Sequence, residues 1–149
     1  MILLDAYALT ALLADEPAAD EVGLLLAGGD TGVAAANLAE AADRLARIHK
    51  ISVSRTHVAV ESLEQSTNLR VSPIQAAHAW WAAELRVKHY HRTRRPLSLG
   101  DCLLLAMTGE GDQLATADPD LLATAEEEKI GWIALPDRRA QRHAPKPHD

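Results

Sequence analysis

Asp5 follows the apolar run Ile2-Leu3-Leu4, and Glu40 sits in "ANLAEAADRL". Asp101 precedes the aliphatic "CLLLAM", and Asp118 closes the short apolar segment in "LATADPDLL". Four carboxylates at the edges of hydrophobic segments suit one chemistry if folding brings them together. Ionised carboxylates in one small pocket repel, and a protein resolves this by protonation, by cationic partners or by a metal ion. No Lys or Arg adjoins Asp5, Asp101 or Asp118 in sequence. All-oxygen donors favour Mg²⁺ or Mn²⁺, which keep several waters and take phosphate oxygens as further ligands. Asp120 is an alternative to Asp118 for the same place. Taken singly, each acid has a plainer role. Asp101 can sit favourably at a helix start, worth about 0.3–1 kcal/mol. Asp118 before Pro119 suits a turn or cap. Glu40 can pair with Arg44 one helical turn on, worth about 0.2–0.5 kcal/mol. Asp5 is hardest to assign this way, because a charge abutting a buried strand must be compensated.

The segments between these acids have the periodicities of alternating strands and helices. Ile2-Leu3-Leu4, Thr31 to Ala35, Leu69-Arg70-Val71, Gln113 to Thr116 and Trp132 to Leu135 are predicted strands. Helices are expected over Ala8–Ala14, Ala18–Ala27, 52–66, Asp101 to about Met107, and Asp118–Ala125. Asn37 is the expected cap of a helix whose apolar face carries Leu38, Ala41, Ala42, Leu45 and Ile48. Glu40 would then lie in its first turn. Ser72-Pro73-Ile74-Gln75 reads as a helix start with a capping box, continuing through Ala77, Trp81 and Leu85 to about Tyr90. This alternation predicts a three-layer α/β/α sandwich around a mostly parallel sheet. In such a sheet the carboxyl ends of strands and the amino ends of the following helices share one edge, where ligands bind. Asp5, Glu40, Asp101 and Asp118 are all expected on that edge.

The chain has 149 residues, 48% hydrophobic and 24% charged, enough for one domain with a real core. Aromatics are 3% with no Phe, so Leu, Ala, Val and Ile must fill the interior. No stretch approaches the roughly 20 apolar residues of a membrane helix, and Asp5 interrupts the amino terminus too early for a secretory signal. A cytoplasmic protein with no membrane partner is expected. The net charge of −6 argues against nucleic-acid binding by the whole surface, though not by a local patch. Cys102 alone makes neither a disulfide framework nor a thiolate cluster, and reads as a small buried hydrophobe. His49, His57, His78, His89 and His91 lack zinc-site spacing. Residues 1–135 are expected to form the domain, and 136–149 a flexible basic and Pro-rich tail, with no specific role for His143 or His148.

The blocks "ILLDAYALTALL", "ANLAEAADRL", "LSLGDCLLLA" and "LATADPDLL", in that order, resemble the four acidic blocks of a PIN domain. The short chain is similar to VapC-type toxins, the ribonuclease half of toxin–antitoxin pairs. The resemblance runs from Ile2 to about Leu135. It implies that Asp5, Glu40 and Asp101 are the acidic triad and Asp118 the fourth acid. Thr116 matches an accompanying hydroxyl position that steadies the site. It also implies a Mg²⁺- or Mn²⁺-dependent endoribonuclease leaving a 5′-phosphate on a tRNA or other structured RNA. A VapB-like antitoxin partner and a homodimer follow from the same resemblance. Ala6-Tyr7-Ala8 departs from the pattern, because relatives often carry Thr or Ser beside the first acid.

"RVKHYHRTRR" is the one strongly basic stretch, and Arg86, Lys88, Arg92, Arg94 and Arg95 are candidate contacts to an RNA backbone. A solvated face is the plainer explanation of such a run. Trp81 is in phase with an apolar face, whereas Trp80 points about 100° away, toward a possible interface. Other acid-edge enzymes fit poorly. A phosphoacceptor receiver needs a Lys near the last strand, and Trp132 to Asp137 holds none. A haloacid-dehalogenase-like phosphatase needs Asp-x-Asp, and Asp5-Ala6-Tyr7 lacks it. The remaining alternative is a catalytically silent PIN-like module that binds RNA or protein.

Overall fold

The computed structural model describes residues 1–145. Five strands, β1 (Ile2–Leu4), β2 (Thr31–Ala34), β3 (Leu69–Ser72), β4 (Gln113–Thr116) and β5 (Gly131–Ala134), form one sheet. All four pairings are parallel, in the order β3-β2-β1-β4-β5. Seven helices connect them: α1 (Ala6–Ala14), α2 (Ala19–Gly28), α3 (Ala35–Arg47), α4 (Val53–Ser66), α5 (Ala76–His89), α6 (Leu99–Met107) and α7 (Pro119–Glu127). The architecture is the expected three-layer α/β/α sandwich.

Side-chain alternation along the strands divides the core in two. Leu4, Ala115 and Val33 of the sheet join a cluster with Leu9, Val22, Ala41 and Val60, drawn from α1 to α4. Their strand neighbours Leu3 and Leu114 join the other, with Leu85, Leu104, Leu105 and Leu121 from α5 to α7. Leucine does the filling that aromatics do elsewhere: all twelve of the largest fully buried side chains are Leu. Among the described residues no helix is long and apolar enough to cross a membrane.

Several helix starts differ from expectation. β2 passes directly into α3, so the helix begins at Ala35 and Asn37 lies inside it, 1% exposed, rather than capping it. Glu40 therefore stands in the second turn. Ser72 ends β3, and Gln75 is the cap of α5, in a capping box with His78. The inward face of α5 is Ala82, Leu85 and His89, which leaves Trp80 76% and Trp81 40% exposed. Trp81 is thus not a core residue: the helix starts later than its sequence pattern suggests, and its amino-terminal half faces outward.

Residues 136–145, expected as part of a loose tail, make named contacts. Pro136 and Arg142 form an antiparallel bridge. Asp137 Oδ1 accepts from the backbone N–H groups of Arg139 (2.8 Å) and Gln141 (2.9 Å). His148 lies outside the described residues.

Candidate active site

The strand order reverses at β1: β2 and β3 lie on one side, β4 and β5 on the other. Ligand crevices in open α/β sheets form outside the carboxyl ends of strands at such a switch point. Here the flanking strands are β1, followed by Asp5, and β4, followed by Asp118. A cleft of about 480 Å³ opens there, lined by Asp5, Glu40, Asp101, Asp118 and Asp120 among others. Acids far apart in the chain thus arrive from four elements at one place.

Each is positioned by local structure. Asp5 is the N-cap of α1, and its Oδ1 accepts from the Ala8 N–H at 2.6 Å. Its Oδ2 accepts from the Thr116 hydroxyl at 2.5 Å. The same hydroxyl oxygen accepts from the Asp118 N–H at 3.0 Å, so Thr116 ties the first acid to the fourth. Asp101 does not open its helix; Ser98 caps α6, and Asp101 is the third helical residue. Its Oδ2 accepts from the Ser98 N–H (2.7 Å), and Ser98 Oγ accepts from the Asp101 N–H (3.0 Å), a reciprocal capping box. Asp118 caps α7 through Oδ1, which accepts from the Asp120 N–H at 2.7 Å. Capping and site chemistry are therefore compatible: the backbone bonds that cap α6 and α7 use Oδ2 of Asp101 and Oδ1 of Asp118. Glu40 reaches across from α3 to α6, where a Cβ on Gly100 would lie 3.2 Å from its Oε2.

The electrostatics tie the set together. Burial pushes the Asp5 carboxyl up to about 7, against the lowering effect of the Thr116 and Ala8 hydrogen bonds, and the charges of Asp101 and Asp118 raise it further. Burial likewise pushes Asp101 up to about 6, opposed by its bonds to Ser98 and reinforced by Asp118 and Glu40. Asp118 rather than Asp120 is the acid whose charge both feel. Among the described residues no Lys or Arg stands within ion-pair distance of Asp5, Glu40, Asp101 or Asp118, so the Glu40–Arg44 pair that the spacing allows does not form.

Among the described residues no group of three or more acidic, His or Cys side chains is drawn tightly enough to hold a metal ion as it stands. The acids line an open cleft, not a closed cage. An open, all-oxygen, mutually repelling set fits an ion that keeps waters and binds through one or two carboxylates plus a phosphate.

The basic run lies elsewhere. Arg86 donates to the Leu97 carbonyl (2.5 Å) and stacks over Tyr90, 4.2 Å from the ring centre. Lys88 pairs with Glu128 and Arg95 with Glu127, each at 2.6 Å. Arg92 and Arg94 are exposed, and none of the five lines the cleft. Its cationic lining comes from Arg44, Arg138 and Arg139, with His143 beside them, residues that the sequence pattern did not nominate. Arg44 was legible as a neighbour of Glu40 one turn away. The other three follow the last strand in a segment with no element pattern.

The PIN domain family profile matches residues 2–127. No curated protein sequence matches the chain significantly. Among solved structures, VapC20 of Mycobacterium tuberculosis, a toxin that cleaves the sarcin–ricin loop, is 25% identical with a TM-score of 0.63, covering 81% of this chain and 92% of that one. FitAcB from Neisseria gonorrhoeae is 22% identical with a TM-score of 0.61, covering 89% and 96%. VapBC2 from Rickettsia felis, bound to a fragment of promoter DNA, is 14% identical with a TM-score of 0.62, covering 91% and 99%. The profile match spans most of the chain and includes Asp5, Glu40, Asp101 and Asp118: the protein belongs to the PIN domain family.

Proposed function

We propose that the protein is a Mg²⁺- or Mn²⁺-dependent endoribonuclease, the toxin of a toxin–antitoxin pair. One observation carries the reading: acids from four elements line a single cleft, and among the described residues no Lys or Arg forms an ion pair with Asp5, Glu40, Asp101 or Asp118. Asp5, Glu40, Asp101 and Asp118 would hold the metal. When bound, it would hold a phosphate oxygen, offset charge developing in the transition state and acidify a water for in-line attack. The chain's own residues supply the rest. Thr116 fixes the Asp5 carboxylate through its hydroxyl, and the α6 capping box fixes Asp101. One carboxylate of the set would take up the attacking water's proton. Departure of the 3′ oxygen would leave a 5′-phosphate.

The likeness to VapC20, a toxin, and to a toxin–antitoxin complex from Klebsiella pneumoniae supports a small antitoxin as partner. A homodimer, testable by sedimentation, belongs to the same reading. The direct test is cleavage of RNA by the purified chain, with sequencing of RNA ends after a short pulse of expression to identify the target. Activity should require Mg²⁺ or Mn²⁺ and fall by on the order of 100-fold or more in Asp5→Asn. Asparagine is chosen because it keeps the helix cap, whereas Asp5→Ala would also lose about 1 kcal/mol of capping. EDTA-resistant cleavage, or full activity in Asp5→Asn, refutes the assignment.

A further inference from the structure

An acid-lined cleft has a difficulty as a nucleic-acid site: its own charge repels the backbone it must admit. A metal offsets that at one phosphate and leaves the flanking phosphates unmatched. The basic run does not solve the problem, because Arg86, Lys88 and Arg95 are spent on internal partners and the run lies outside the cleft.

The cleft's own cations come from two directions. Arg44 projects from α3 one turn beyond Glu40 and is half-buried in the lining. Among the described residues its guanidinium has no ion pair or hydrogen bond, which for a half-buried arginine leaves five donors without protein partners. Arg138 and Arg139 come from the segment after β5, beyond the span that matches the PIN family. That segment is built rather than loose. The Tyr7 hydroxyl, two residues from Asp5, donates to the Pro136 carbonyl at 3.0 Å. Arg138 pairs with Glu16 at 3.2 Å, and Arg142 with Glu21 at 2.5 Å. Arg142 also donates to the Ala134 carbonyl. Asp137 closes the turn, with His143 2.9 Å from its carboxylate and the backbone N–H of Arg139 on its other oxygen. Arg138 is thus partly spent as an anchor. The Arg139 side chain has no partner among the described residues, and it is held at the cleft by a turn whose anchors lie on α1, on α2, between those helices, on β5 or within the turn itself.

We infer that the 136–143 strap is the phosphate-binding wall of the cleft, with Arg139 from the strap and Arg44 from α3 gripping the RNA phosphates on either side of the one being cut. This rests on the nuclease reading above. Forked guanidiniums suit the task, since each can bond two oxygens of one phosphate.

The test uses the full chain and a fluorescein-labelled single-stranded RNA of mixed sequence, with Ca²⁺ in place of Mg²⁺ so that binding is read without turnover. Removing one phosphate-binding cation should lower the slope of log affinity against log salt by about 0.7. The double variant Arg44→Gln/Arg139→Gln should therefore lose about 1.4 of slope and roughly tenfold in affinity at low salt. Its melting temperature should stay that of the parent, because neither side chain is ion-paired among the described residues. Arg44→Lys/Arg139→Lys should restore most of the slope, and Arg92→Gln/Arg94→Gln should leave it alone. A Gln pair with the parent's slope overturns the inference, as does a slope lost only with Arg92 and Arg94. Metal-dependent cleavage by the parent is measured alongside. If it is present while the Gln pair binds as the parent does, the strap inference alone falls. If the parent neither binds nor cuts RNA, the nuclease reading falls with it.

Discussion

At the scale of single residues, Asp5 is held in an arrangement that is costly for the folded chain by itself. It is 6% exposed, and burial outweighs the two hydrogen bonds it accepts, so its carboxyl rises from 3.8 to about 7, while Asp101 rises to about 6. The sign of the consequence follows from proton linkage. Between pH 4 and 7 the folded chain holds protons that the unfolded chain has released, so the stability of the metal-free protein falls as pH rises through that window. Melting temperature should be lower at pH 8 than at pH 5, with a smaller fall in Asp5→Asn; a flat profile would count against the burial described here. Thr116→Val removes the bond that opposes the rise, and Asp5 then ionises at still higher pH. The acid limb of RNA cleavage in that variant should move upward in pH, and stability should drop by about 1–3 kcal/mol for the unsatisfied carboxylate oxygen. Asp5 was legible in the sequence because a charge hard against an apolar strand demands a partner. The partner was not: the 111-residue separation of Thr116 from Asp5 is closed only by the pairing of β1 with β4.

At the scale of elements, junctions decide where the side chains point. The helix was expected to open at Asp101, but its cap is Ser98, and this makes Asp101 the third helical residue, where its carboxylate can serve both the box and the cleft. Gly100 lies between them, and it makes room for Glu40 from α3. Gly100→Ala should raise helix stability by up to about 1 kcal/mol, as the swap does in exposed helices. The added Cβ would meet Glu40 Oε2 at 3.2 Å and displace it by a few tenths of an ångström. The expected result is a chain that melts higher and cleaves more slowly; unchanged cleavage would mean that Glu40 is not held against α6. The errors in reading helix starts share one physical origin. Asn37 and Ser72 carry good capping side chains, but an uninterrupted passage from β2 into α3 uses Ala34 as the cap, and β3 runs on through Ser72. Tertiary placement of the strands overrode local propensity at both.

At the scale of the whole molecule, the layer architecture was legible because strands and helices alternate with distinct periods, and an all-parallel sheet then gathers the acids at one edge. The strand order was not legible, and it matters: with β1 central and the order reversing there, Asp5 and Asp118 flank one crevice. The segment after β5 was illegible for a different reason. Its order depends on single contacts to Tyr7, Glu16 and Glu21, which leave no periodic trace. All of these features converge on the claim that the acids meet in order to hold a divalent ion. The most direct test is titration of Mn²⁺ into the metal-free chain at neutral pH, followed by calorimetry or electron paramagnetic resonance, with Asp5→Asn and Asp101→Asn in parallel. The account predicts a saturable site in the parent that raises its melting temperature and is lost in both variants. Binding that is absent in the parent, or equally strong in the variants, would contradict it.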